Sequence, residues 1–69
     1  EADLCGADLS NANLKGAYLR YAELRKANLE GANLEGADLY KADLSFAFLK
    51  TANLDDADLC GVHLFGADM

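Results

Sequence analysis

The sequence predicts an all-β fold in which one chain winds as a coil and bends at a corner every five residues. Leu stands at every fifth position from 4 to 64, and Met69 continues the series. Ala stands two residues before each of these positions, except that Val62 replaces it once. The residue between them is mostly Asp or Asn, so the chain repeats the phrase A-(D/N)-L-x-x about fourteen times.

A period of five is incompatible with a regular helix or a flat strand. Five residues of an α-helix advance about 140°, so the leucines would point all around its axis. In a strand, side chains alternate between faces, so a shift of five would place successive leucines on opposite sides. A chain that turns once per five residues gives every Leu and Ala the same inward environment. Stacked coils then share backbone hydrogen bonds at a spacing of about 4.8 Å.

The residues that follow each Leu indicate corners at a fixed position. Every glycine is the second residue after a Leu, where a tight turn would need positive φ. These glycines are Gly6, Gly16, Gly31, Gly36, Gly61 and Gly66. Asn11 and Asp56 share the position and tolerate positive φ. The position is also occupied by Tyr21, Lys26, Lys41, Phe46 and Thr51. Because these side chains disfavour positive φ, we predict two corner types, with negative φ at the non-glycine corners.

The repeated units Ala-Asp-Leu-x-Gly and Ala-Asn-Leu-x-Gly resemble the pentapeptide-repeat family over the whole chain, without insertion or deletion. The resemblance implies a right-handed quadrilateral parallel β-helix with four repeats per coil and with Leu and Ala inward. The period alone requires only a closed polygon, which three sides would also satisfy. With four sides, the 69 residues make about three and a half coils, a rod about 17 Å long.

Composition and charge describe one small domain, residues 1–69, without linkers. The chain starts inside a repeat and stops at a repeat centre, so we expect a piece of a longer repeat array. No apolar run is long enough to span a membrane, and no signal peptide is recognisable. The net charge of −6 disfavours direct binding to nucleic acid, which basic patches drive.

With twenty residues per coil, residues twenty apart lie above one another in columns. One outward column consists of Asn13, Asn33 and Asn53. Its amides either hydrogen-bond to each other along the coil axis or remain separately solvated. A second column consists of Asp3, Glu23, Asp43 and His63. There His63 is either an ordinary surface histidine or an ion-pair partner of Asp43, because a metal site would need more nitrogen or sulfur ligands.

Aromatic residues are the main departures from the repeated phrase. All six are predicted to point outward: Tyr18, Tyr21, Tyr40, Phe46, Phe48 and Phe65. On so small a coil, exposed aromatics beside Arg are typical of interface anchors. Alternatively, they lie flat over the backbone ladders and shield them. The predicted partner surface consists of Tyr18, Arg20, Tyr21, Tyr40, Phe46 and Phe48.

The reactive side chains do not indicate an enzyme, and we predict no catalytic residue, cofactor or metal. The predicted coil is filled inside and convex outside, whereas catalysis needs a concave site. A corner separates His63 from Cys60, so a Cys–His pair would need unusual geometry. Cys5 and Cys60 lie about 13 Å apart along the axis, too far for a disulfide. Two unpaired thiols favour a reducing compartment such as the cytoplasm.

These observations predict a non-enzymatic scaffold that binds an unknown protein partner, because a regular solenoid presents a rigid surface. The resemblance implies an alternative, since some pentapeptide-repeat proteins mimic duplex DNA, bind DNA gyrase in its place and protect it from inhibitors. Duplex DNA carries about ten charges over 17 Å. This chain has a net charge of −6 interrupted by bases, so we prefer the scaffold. Bare ladder edges at both ends predict either end-to-end association of copies or capping by flanking residues.

Overall fold

The computed structural model describes residues 2–69, which repeat one five-residue unit from end to end. Within this range there is no helix and no extended strand. Each unit has a bridging residue just before its Leu and a turn formed by the two residues after it. The parallel bridges join residues twenty apart, with four turns between them, so each coil has four sides.

We name the four sides by their bridged columns. Side A contains Asp3, Glu23, Asp43 and His63, and side B contains Asp8, Asn28, Phe48 and Asp68. Side C contains Asn13, Asn33 and Asn53, and side D contains Tyr18, Asp38 and Asp58. The chain passes through the sides in this order, so each corner joins two sides that follow one another in sequence.

Backbone hydrogen bonds tie each unit to the next coil. Leu4 donates its N–H to the carbonyl of Glu23 at 2.7 Å, and Gly6 donates to Arg25 at 2.9 Å. Glu23 donates in turn to Ala2 at 2.8 Å. The same pattern recurs in the following units. Each side therefore holds the twenty-residue register through a short parallel ladder centred on one bridging residue.

Every corner has positive φ at the same position and closes with the same backbone hydrogen bond, so the prediction of two corner types, with negative φ at the non-glycine corners, is wrong. The N–H that follows each corner donates to the preceding Leu carbonyl, as from Ala22 to Leu19 at 3.1 Å. The second residue after each Leu, which is the third residue of the four-residue turn that begins at Leu, has φ between 55 and 70°. This value is typical of a type II turn. Seven are not glycine: Asn11, Tyr21, Lys26, Lys41, Phe46, Thr51 and Asp56. Because ladder bonds fix both ends of the turn, Tyr21 and Thr51 adopt positive φ despite a cost of about 1 kcal/mol.

The inward leucines and alanines form the core, and their burial depends on position along the coil axis. In the central region, residues 22–49, every Leu and every inward Ala is at most 4% exposed. Leu59 is 37% exposed and Met69 is 68% exposed. Other leucines of the outer regions, residues 2–21 and 50–69, are partly buried against this core. A Leu is fully buried only where coils cover it from both directions.

The molecule measures 22 × 22 × 18 Å along its principal axes, so it is a squat block rather than a rod. The right-handed sense of winding stays a prediction from the resemblance. Nowhere in residues 2–69 is there a helix of the length and hydropathy that crossing a bilayer requires. Because leucines and alanines fill the interior, the four outward sides and their corners are the surfaces that a partner can contact.

Candidate partner-binding surface

The polar residue before each Leu stabilises the corner that follows it. Its side-chain oxygen accepts a hydrogen bond from the backbone N–H two residues later, as Asp38 does from Tyr40 at 3.2 Å. Nine repeats have this bond, at Asp3, Asp8, Asn13, Asn28, Asn33, Asp38, Asp43, Asn53 and Asp58. Asp and Asn share this acceptor geometry, which explains why they alternate freely at the position.

The asparagine column does not form an amide ladder, which was one of the two alternatives from the sequence. Asn13, Asn33 and Asn53 each accept a hydrogen bond from a local backbone N–H at 3.0–3.2 Å. Between these three amides, all within the described range 2–69, the structure shows no mutual hydrogen bond. The column therefore stabilises corners one at a time rather than linking coils through side chains.

Four repeats have a residue other than Asp or Asn immediately before Leu, which we call the capping position. In the described part of the chain these four repeats lack this bond. They contain Tyr18, Glu23, Phe48 and His63. A hydrogen bond of this kind makes a net contribution of about 0.5–1.5 kcal/mol to the free energy of unfolding. Replacing Asp or Asn therefore lowers stability unless the new side chain packs well. Tyr18 is 90% exposed, so packing does not compensate for its lost bond.

The corner between sides D and A carries a group that we call the tyrosine edge: Arg20, Tyr21, Tyr40 and Lys41. The rings of Tyr21 and Tyr40 meet edge to face, with centroids 5.8 Å apart. The guanidinium carbon of Arg20 lies 5.1 Å from the Tyr40 ring centre, and Lys41 Nζ lies 5.4 Å from it. Both cations are within the range of cation–π attraction. Tyr21 remains 46% exposed, so this edge is accessible from solvent.

The corner between sides A and B carries a second group, the phenylalanine edge: Arg25, Phe46 and Phe65. The two rings meet edge to face at 5.5 Å, and the Arg25 guanidinium carbon lies 5.6 Å from the Phe46 ring centre. A Cβ at Gly66 would lie 2.7 Å from the Phe46 ring, so glycine makes room for the ring in the next coil. Phe46 is 40% and Phe65 77% exposed.

The structure distributes the predicted partner surface over two edges. Tyr18 lies on side D, beside the tyrosine edge, and Phe48 lies on side B, beyond the phenylalanine edge. The prediction omitted Phe65, although its spacing of nineteen from Phe46 matches that of the other ring pair, Tyr21 and Tyr40. Side A runs between the two edges, so both ring pairs border one side of the coil.

Ion pairs hold two arginines over the aromatic rings. Arg20 Nε donates to Asp38 Oδ2 at 2.5 Å, and this interaction lowers the pKa of that carboxyl below its ordinary value of 3.8. Arg25 Nη1 lies 3.7 Å from Asp43 Oδ2. Hydrogen bonds from Ser45 chiefly lower the pKa of Asp43, and Arg25 adds to the effect. Because both pairs are exposed, they contribute more to side-chain orientation than to stability.

The two cysteines are exposed and unpaired. A hydrogen bond with Asp58 raises the pKa of the Cys60 thiol. Desolvation, followed by a hydrogen bond with Asp3, raises the pKa of Cys5. Reactive cysteines have depressed pKa values, so neither thiol is activated as a nucleophile. His63 is exposed, and its backbone bridges to that of Asp43.

Two other surface features lie apart from the ring pairs. Ligand atoms of Asp3, Cys5 and Glu23 lie within 4.8 Å of one another, but all three residues are exposed and the raised thiol pKa disfavours metal binding. An open recess of about 460 Å³ lies at the corner between sides B and C. Its polar lining includes Ser10, Asn11, Asn28, Glu30, Lys50 and Thr51. Neither feature adds an aromatic or apolar anchor to the candidate surface.

The five-residue period, the shared turn and the twenty-residue register define a β-solenoid built from pentapeptides. The chain belongs to the pentapeptide repeat family, whose model matches residues 1–36 and 17–56 with eight copies. The comparison with curated protein sequences returned no match.

Solved structures of pentapeptide repeat proteins resemble this one. Rfr23 from the cyanobacterium Cyanothece 51142 has a TM-score of 0.75 and 35% identity, over 97% of this chain and 56% of that one. A thylakoid-lumen protein of Arabidopsis thaliana has a TM-score of 0.73 and 34% identity, over 99% and 55%. QnrB1, a plasmid-mediated fluoroquinolone resistance protein, has a TM-score of 0.61 and 30% identity, over 88% and 37%. The chain thus spans little more than half the length of the first two proteins.

Proposed function

We propose that this chain is a non-enzymatic scaffold that binds a protein partner through its outward aromatic side chains. The observation that carries the proposal is Tyr18, an aromatic that is 90% exposed where Asp or Asn would cap the corner. Exposed aromatic rings with neighbouring arginines are typical anchors of protein interfaces. Membership of a repeat family supports a binding role, because solenoids function through surfaces rather than cavities.

Other aromatics also occupy positions that lower stability. Tyr21 and Phe46 have φ of 60 and 62°, a conformation that costs bulky residues about 1 kcal/mol. Phe48 replaces a capping Asp or Asn and is still 44% exposed. Strained or uncapped positions that persist at exposed aromatic residues support selection for binding rather than for folding.

The substitution Tyr18→Asn tests the proposal because it separates stability from binding. Asn restores the missing cap, so the free energy of unfolding should rise by about 0.5–1 kcal/mol in urea titrations. Capture of a partner by the immobilised chain from an extract of the source cells should fall. Asp55→Asn, at the corner between sides C and D, is the control and should leave capture unchanged. Equal capture by the wild type, Tyr18→Asn and the triple variant Tyr18→Ser, Tyr21→Ser, Tyr40→Ser, with circular dichroism intact, would exclude these tyrosines as anchors.

DNA-gyrase protection is the alternative function, and two observations support it. The chain has a net charge of −6, and its fold is similar to that of the fluoroquinolone resistance protein QnrB1. The bases at the tyrosine and phenylalanine edges interrupt the acidic surface, which weakens mimicry of duplex DNA. A gyrase supercoiling assay decides this point. Neither inhibition nor protection from a fluoroquinolone at micromolar protein would remove the alternative.

End-to-end association of copies is a further proposal about partners. Leu59 and Met69, which lie in residues 50–69, remain exposed. Backbone N–H and C=O groups of a ladder that have no partner can pair with a second copy. Sedimentation velocity over a range of protein concentrations tests it. A sedimentation coefficient that rises with concentration is expected, whereas a constant monomer value would contradict association.

A further inference from the structure

The cations of this acidic chain are concentrated around one side. Side A together with its two corners comprises residues 2–6, 20–26, 40–46 and 60–66. It contains four of the six bases, Arg20, Arg25, Lys26 and Lys41, and three acids, Asp3, Glu23 and Asp43, for a net charge of +1. Among residues 2–69, the rest of the chain has two bases and eight acids, for a net charge of −6. We call this surface the basic side.

Two of these cations have no acidic partner within residues 2–69. Asp38 pairs with Arg20, and Asp43 pairs with Arg25. Lys41 lies instead over the Tyr40 ring, and Lys26 precedes Phe46 by one coil on the same corner. Each edge of the basic side therefore combines an ammonium group that has no acidic partner in residues 2–69 with a pair of partly exposed rings.

This combination has a defined chemical preference. Ammonium groups attract carboxylates, and aromatic edges bind apolar or aromatic side chains. The net charge of −6 on the remaining described surface repels any long polyanion that extends beyond the basic side. A short acidic segment with interspersed apolar residues matches both properties, because it can contact the cations without running along the acidic sides.

We propose that the basic side binds an acidic, aromatic-containing segment of a partner protein between the tyrosine and phenylalanine edges. The proposal rests on the scaffold function above and adds the chemistry of its partner. Carboxylates of the segment contact Lys26 and Lys41. Its apolar side chains pack against the ring pairs Tyr21–Tyr40 and Phe46–Phe65, whose outer faces are exposed.

Fluorescence anisotropy with the full 69-residue chain tests the proposal. The probe is a labelled twelve-residue peptide of alternating Glu and Phe, compared with a Lys and Phe peptide and with single-stranded oligo(dT). The acidic peptide should bind the wild type at least about tenfold more tightly than the other two, with an affinity that falls as salt rises. Equal or tighter binding of the basic peptide or of oligo(dT) would overturn the proposal.

Paired charge reversals localise the binding. Lys26→Glu with Lys41→Glu should weaken binding of the acidic peptide by about tenfold or more. Lys15→Glu with Lys50→Glu changes the net charge by the same amount outside the basic side, and should change affinity less than about twofold. Equal losses in the two variants would show a net-charge effect alone and overturn the proposal.

Partner capture distinguishes this inference from the scaffold proposal. If capture depends on Tyr18, Tyr21 and Tyr40 but survives Lys26→Glu with Lys41→Glu, the scaffold function holds and the acidic-partner inference fails. If the substitutions of Tyr18, Tyr21 and Tyr40 leave capture unchanged, these tyrosines are not anchors. The scaffold proposal and the acidic-partner inference that rests on it then both fail. Loss of capture in the Lys26 and Lys41 variant, with retention in the Lys15 and Lys50 variant, supports both.

Discussion

The central and outer regions of the coil contain the same sequence phrase but differ in burial. Leu39 and Leu59 occupy the same column on side D, each within the triplet Ala-Asp-Leu and each followed by the same turn. Leu39 is fully buried, whereas Leu59 is 37% exposed. The phrase therefore specifies the path of the chain, and neighbouring coils supply the burial. Stability in such a solenoid depends on the contacts between adjacent coils.

The largest expected effect comes from placing a carboxylate in each region on the same side. Leu29→Asp buries an unpaired charge in the central region and should unfold the chain, because such burial costs several kcal/mol. Met69→Asp places the carboxylate at a residue that is 68% exposed, and should cost less than about 1 kcal/mol. Far-ultraviolet circular dichroism during thermal denaturation measures both. Similar melting curves for the two variants would contradict the difference in burial.

Truncation of the side-D leucines gives a finer comparison. Leu39→Ala should lower the free energy of unfolding by about 3 kcal/mol, since it removes buried methyl groups and leaves a cavity. Leu59→Ala should lower it by about 1 kcal/mol, because water already reaches that side chain. Urea titrations of the two variants give the ratio directly. Equal losses would mean that the outer coil is covered in solution, as end-to-end association would produce.

The corners should behave differently from the core, with an effect independent of coil position. Gly16 and Gly36 have φ of 69 and 66°, and a Cβ at either would meet no atom within 4 Å. Gly16→Ala and Gly36→Ala should each cost about 1 kcal/mol, which is the local penalty for positive φ. Gly31→Ala should cost about the same, because the only close atom its Cβ would meet is Oδ1 of the exposed Asn11 side chain, which can rotate away. A much smaller cost at Gly16 than at Gly36 would show that the first coil is already frayed.

The same distinction between local and long-range effects explains how far the sequence predicts the structure. The Leu period indicates the coil, because only a corner every five residues gives all leucines one environment. The corner prediction failed at Tyr21 and Thr51, where the hydrogen bonds of two adjacent coils override local backbone preference. The capping role of the residue before Leu could have been predicted from the sequence, because the interchange of Asp and Asn indicates a shared oxygen acceptor.

The candidate surface shows the same limit. The outward direction of Tyr18 and Phe46 was predictable from the repeat position, and both are exposed. The pairing of Phe46 with Phe65 was missed, because columns twenty residues apart do not include contacts at a spacing of nineteen. The position of Lys41 over Tyr40 depends on rotamers that only the three-dimensional structure provides.

The smallest expected effect is the acid dependence of the capping carboxylates in the two regions. Hydrogen bonds from Ser10 lower the pKa of Asp8 in the outer coil, and those from Ser45 lower the pKa of Asp43 in the centre. A carboxyl with a depressed folded-state pKa stabilises the protein above its ordinary pKa, here 3.8, and loses that contribution as pH falls through the folded-state value. Stability should therefore decline below about pH 4.

Asp8→Asn and Asp43→Asn retain the oxygen that caps the corner but cannot titrate. Each should reduce the difference in unfolding free energy between pH 7 and pH 3, measured by urea titration, without abolishing the fold. If the bonds to Ser10 and Ser45 act locally, the reductions should be similar in the outer coil and in the centre, unlike the losses at Leu39 and Leu59. An unchanged pH dependence in both variants would show that these carboxylates ionise alike in the folded and unfolded chain. A reduction at Asp43 alone would show that the outer coil does not hold its caps in solution.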